Sequence, residues 1–120
     1  MMIFVTGPQF AGKRACIRQL LGLSEEAFAA CAVWDVQEMA DPDRLNEITD
    51  SLCKKKIVIA TEMGCGVIPL DASERLRREA AGALACLLAQ RADTVIRVCC
   101  SIPQLLKGEW PCASCCFATA

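Results

Sequence analysis

Met2-Ile3-Phe4-Val5-Thr6-Gly7-Pro8-Gln9-Phe10-Ala11-Gly12-Lys13-Arg14 is the stretch that decides how this chain folds. It opens on a short apolar, β-branched run that ends at a glycine, the pattern of a buried strand entering a tight turn. From Gly12 to Leu21 apolar residues recur at helical spacing, and Gly22 is a natural stop. Between the two, Gly7 to Lys13 fills the first seven positions of the phosphate loop Gly-x4-Gly-Lys-Ser/Thr, in the strand-to-helix setting that the motif requires. Glycines let main chain wrap an anion, successive N–H groups face inward, and the helix N-terminus adds partial positive charge. Gly7, Pro8, Gln9, Phe10, Ala11, Gly12, Lys13 and Arg14 are therefore candidate nucleotide-binding residues, with Lys13 reaching the outer phosphates. The plainer alternative is a glycine-rich turn with an incidental lysine.

Arg14 stands at the eighth position, where a hydroxyl would hold magnesium. A guanidinium ligates no cation. Either phosphate is held by charge with weakened magnesium, or the site no longer turns nucleotide over. Pointing Arg14 to solvent on the first helical turn would remove the repulsion without restoring the ligand.

Further along, Ser24 is placed to cap a brief helix over Glu25 to Ala30, and Cys31 to Asp35 reads as a second buried strand ending on a carboxylate. Asp41-Pro42 starts a helix that runs to about Cys53. Ile57 to Ala60 is the clearest strand, and the loop Thr61 to Pro69 follows it. Asp71 with Glu74 opens a long helix to about Arg91, and Asp93 to Cys100 forms a fourth strand that Ser101-Ile102-Pro103 ends. Strands apolar throughout, alternating with helices, call for an α/β fold: a parallel sheet covered by helices on both faces. One domain over 1–108 is expected, with a cysteine-rich tail over 109–120. Thr6-Gly7, Asp35 and Glu62 should converge on the rim formed by the carboxyl ends of the strands, where such sheets bind ligands. Asp35 is the candidate magnesium carboxylate there, against the simpler reading of an Asp that starts a turn.

Composition bounds the chemistry. The 120 residues are 54% hydrophobic with a formal net charge of -1, which argues against a nucleic-acid binder. No apolar run reaches the roughly 18 residues of a membrane span. Histidine is absent, so imidazole bases, nucleophiles and metal ligands are excluded. There are ten cysteines and no secretory signal, so a cytoplasmic setting with reduced thiols is expected. Cys16, Cys31, Cys53 and Cys86 read as small core residues. Cys112, Cys115 and Cys116 read as a thiol-rich tail, with a thiolate metal or redox site as the minor alternative.

Glu62-Met63-Gly64-Cys65-Gly66-Val67-Ile68-Pro69 resembles the Glu-Val-Gly-x-Gly-Ile-Val-Pro loop of the bifunctional adenosylcobinamide kinase and adenosylcobinamide-phosphate guanylyltransferase family. The likeness continues through Arg75, Arg78-Glu79-Ala80-Ala81-Gly82, Ala92-Asp93 and Val95 to Pro103 and Leu106-Lys107, and the opening run and phosphate loop also fit. The resemblance implies a P-loop NTPase-like fold, shortened by loss of a central segment, that binds GTP or ATP with Mg2+. It further implies phosphorylation of the aminopropanol hydroxyl of adenosylcobinamide, guanylyl transfer through a guanylylated histidine, and a homo-oligomer. By position Gly7, Gly12 and Lys13 correspond to nucleotide binding, while Lys13, Asp35 and Glu62 are the catalytic candidates.

The departures are specific. Gly22 to Ala30 is too short to contain the family's histidine segment, and no histidine elsewhere substitutes. Ala85-Cys86 replaces the family's Asn-Gln pair. Guanylyl transfer by the histidine route is thus excluded, whereas phosphoryl transfer, mostly positioning and charge stabilisation, survives. The expectation is a nucleotide-binding protein of kinase type. A catalytically inactive relative acting through protein–protein association is the alternative.

Overall fold

The computed structural model describes residues 2–63 and 71–111. The loop from Gly64 to Pro69 and the thiols Cys112, Cys115 and Cys116 lie outside the described residues. Strand β1 (Ile3–Gly7) leads into helix α1 (Lys13–Leu21) and then α2 (Glu25–Cys31), β2 (Ala32–Val33) and a single 3-10 turn, Val36–Met39. Helix α3 (Leu45–Leu52), β3 (Ile57–Thr61), α4 (Ala72–Arg91), β4 (Thr94–Cys99) and β5 (Ile102–Lys107) complete it. The sheet order is β2-β3-β1-β4-β5.

β1 lies centrally, parallel to β3 and β4, and alternation along it feeds both faces of the sheet. Phe4 joins Val58, Val95, Leu52, Leu84 and Leu88 under α3 and α4. Ile3 and Val5 join Ile59, Ile96, Ile17, Leu21 and Phe28 under α1 and α2. Strands apolar on every residue are what a two-sided core demands, so the α/β fold with helices on both faces is as expected.

The caps follow the sequence. Ser24 Oγ accepts from Ala27 N at 3.2 Å to start α2, and Asp71 Oδ1 accepts from Ser73 N at 3.0 Å to start α4. α3 begins later than Asp41, because Asp41 closes a turn of its own: its carbonyl accepts from Arg44 N at 3.0 Å and its carboxylate from Asp43 N at 3.0 Å.

Two of the strand expectations need correction. The second strand is only Ala32–Val33: α2 claims Cys31, and Val36 is fully buried on the face opposite to Ala32. To bring Val36 there the chain turns sharply at Asp35, which takes a left-handed φ of 57° and precedes the 3-10 turn instead of ending a strand. Nor does the fourth strand close the sheet. Cys100 and Ser101, with φ of 53° and 60°, form a two-residue turn that returns the chain as antiparallel β5. Pro103 pairs with Val98 there without breaking a central ladder, because β5 is an edge strand.

The thiols divide as well. Cys16, Cys31 and Cys53 are half-buried against the two cores, but Cys86 is on the exposed side of α4. Burial pushes the Cys16 and Cys31 thiols up, away from the nucleophilic form.

Candidate functional site

The carboxyl ends of β1, β3 and β4 emerge on one edge of the sheet, and the chain between β1 and α1 arches over it. Gly7 packs so tightly that an added Cβ would lie 2.1 Å from the Val98 carbonyl oxygen of β4. At the other end of the arch Gly12 has φ of 78°, a left-handed conformation natural to glycine, and it precedes the first residue of α1. Phe10 holds φ of 60° at the crest with its ring almost wholly in solvent. The β4–β5 turn braces the arch from outside, Ser101 N donating to Ala11 O at 2.8 Å.

Lys13 is folded beneath this arch. The residue is only 8% exposed, and its Nζ donates to Pro8 O at 2.8 Å. Burial pushes its pKa down; Asp35 and Glu62 pull it back up, and Arg14 adds a smaller downward push. Lys13 thus feels both carboxylates expected on the rim, and all three line a groove of about 1330 Å³ together with Pro8 to Gly12.

The carboxylates differ in their company. Glu62 is clamped by Arg97 of β4: Nε lies 3.0 and 3.1 Å from the two carboxylate oxygens and Nη2 2.9 Å from one of them. Its backbone N–H also donates to Gly7 O at 2.8 Å, so β3 hands the chain on while still tied to β1. The Asp35 carbonyl accepts from Glu38 N at 3.2 Å, whereas its carboxylate makes no hydrogen bond or ion pair among the described residues. Beside it Gln37 Oε1 accepts from Thr61 N at 2.9 Å, fixing the 3-10 turn to the end of β3.

Arg14 is exposed on the first turn of α1, the solvent-facing direction allowed for it, but it is not free there. Its guanidinium lies over the Trp34 ring, 5.1 Å from the centroid, and Trp34 stacks with Phe28 at 5.9 Å and 13°. Trp34, Phe28, Arg18, Arg77 and Arg78 all line the groove without having been singled out for it. Arg18 had one legible signal, its spacing of four from Arg14 on one helix face. Arg97 had another, as the single charge inside an otherwise apolar strand run. Trp34 had none, because its placement depends on the turn at Asp35.

Among the described residues no group of three or more Cys, Asp or Glu side chains is placed to hold a metal ion, and no helix is long and apolar enough to cross a membrane. No curated protein matched the chain. A family model described as cobinamide kinase / cobinamide phosphate guanyltransferase matches residues 23–106, which takes in α2, the rim residues Asp35 and Glu62, α4 and the β4–β5 hairpin, and leaves the arch before it. That span is most of the chain and carries both carboxylates facing Lys13, so the chain belongs to the cobinamide kinase / cobinamide phosphate guanyltransferase family.

Proposed function

We propose that the chain binds the phosphates of GTP or ATP in the arch from Gly7 to Arg14 and acts as a phosphotransferase of adenosylcobinamide-kinase type. The observation that carries this reading is the Lys13 ammonium, buried under a glycine-ended arch at the start of a helix. A buried ammonium held by one carbonyl is poorly compensated for its lost water. A polyphosphate oxygen in that carbonyl's place supplies a full opposite charge, and the helix N-terminus adds to the attraction. Catalysis of phosphoryl transfer needs little more than such charge placement.

Magnesium fits through one carboxylate. Glu62 is committed to Arg97, so Asp35 is the residue that would hold the ion, with nucleotide oxygens and water completing the shell as is usual for magnesium. The ion would supply neutralisation between phosphates. Arg14, parked on Trp34, makes no contact with Asp35 among the described contacts. Histidine-borne guanylyl transfer has no residue to run on in this chain.

Calorimetric titration with GTP and ATP, with and without magnesium, tests the reading. Binding of at least one nucleotide that Lys13→Ala abolishes, with the circular dichroism unchanged, is the expected result. No heat with either nucleotide at millimolar concentration defeats it. Phosphorylation of adenosylcobinamide by the binding-competent protein is the second readout.

A further inference from the structure

We infer that Trp34 is the platform on which the base of the nucleotide stacks, so that arch and indole grip the two ends of one ligand. The inference rests on the phosphate reading of the arch and adds the ligand's second anchor. Trp34 is 36% exposed within the groove that the arch also lines. Large aromatics prefer burial, so an indole left open inside a groove is the informative exception. The ring is not loose: it lies nearly parallel to Phe28, which is only 5% exposed and belongs to the core under α1 and α2. A flat apolar surface of fixed orientation is what a second flat ring needs.

The present neighbour of that surface is the Arg14 guanidinium, and it is the removable one. Arg14 is an exposed side chain on the first turn of α1, held by a cation–π contact of the weak, solvent-facing kind. Phe28 cannot leave its core. Arg14 also follows Lys13 directly, so a single arginine side chain spans from arch to indole, about the reach of a ribose with its nearest phosphate. A base arriving on Trp34 takes the guanidinium's place, and the freed charge lies within one residue of the phosphates. Stacking of this kind accepts any base, since every base has a π-face. Adenine and guanine nucleotides should therefore gain alike from Trp34.

The test uses the full chain carrying Trp110→Phe, which leaves Trp34 as the single indole; Trp110 is half exposed. GTP, ATP and inorganic tripolyphosphate are titrated by calorimetry and by indole fluorescence. Expected are binding of all three, quenching by the two nucleotides and none by tripolyphosphate. Trp34→Ala should weaken both nucleotides by about 5- to 100-fold and leave tripolyphosphate within about twofold, with Trp34→Phe recovering most of the loss. Unchanged nucleotide affinity in Trp34→Ala, with tripolyphosphate still bound, overturns the platform and spares the arch. Equal loss of all three ligands, without recovery in Trp34→Phe, overturns it too, because the indole would then be holding the arch in shape. Failure of the parent chain to bind tripolyphosphate removes the arch reading, and the platform falls with it.

Discussion

Lys13 concentrates the electrostatics of the site in one side chain. Burial lowers its pKa from 10.5, whereas the unfolded chain restores the ordinary value. Below the lowered value both states are protonated, and the cost of the buried charge is fully present. Between the lowered value and 10.5 the unfolded state holds more protons, so stability rises with pH across that window. Because the raised Cys16 and Cys31 thiols act in the opposite sense at alkaline pH, the rise should be read as the difference in urea unfolding between the parent chain and Lys13→Met, which keeps the stem and removes the charge. Lys13 and its loop were legible because glycine spacing and a strand-to-helix context are local properties. Asp35 was legible only as a carboxylate near the rim. The turn it makes answers to the burial of Val36 on the far face of the sheet, a tertiary demand that no local pattern encodes.

At the scale of elements, the arch and the β4–β5 hairpin behave as one object. Gly7→Ala drives a methyl into the Val98 carbonyl at 2.1 Å, backbone against backbone, and should cost about 3 kcal/mol or more. Gly12→Ala differs, since its methyl would meet Ser101 Oγ at 2.5 Å, a side-chain atom that can be deleted. Gly12→Ala should therefore destabilise by about 1–2 kcal/mol through backbone strain plus a contact contribution. Adding Ser101→Ala should recover the contact share and leave the strain, which thermal melts of the single and double variants can separate. The hairpin itself was missed for a physical reason. Its turn positions are Cys100 and Ser101 where glycine or asparagine is usual, and Pro103 reads as a terminator unless the strand is known to lie at an edge.

At the scale of the molecule the sheet separates two cores that share no side chain among the described residues. Ile17→Ala on the α1 side and Leu88→Ala on the α4 side should each cost about 2–5 kcal/mol, because both residues are fully buried. Packed on opposite faces of the sheet, they should add to within about 0.5 kcal/mol in the double variant. A larger coupling in urea unfolding would mean that the strands transmit distortion between the faces. This two-sided plan was the most legible feature of all, since runs such as Ile57-Val58-Ile59-Ala60 leave no polar face to expose. The groove was not, because it is assembled from α1, α2, the 3-10 turn and α4, whose mutual placement only the finished sheet defines.

One bond in that assembly reaches further than its length suggests. In a trans peptide the carbonyl and the next N–H point in opposite directions. With the Ala11 oxygen drawn outward by Ser101, the Gly12 amide hydrogen is turned the other way, away from the hairpin. The β4–β5 turn is absent from the groove lining among the described residues, yet it orients one N–H of the arch. A hairpin turn here works as a sighting device for a peptide plane ninety residues away.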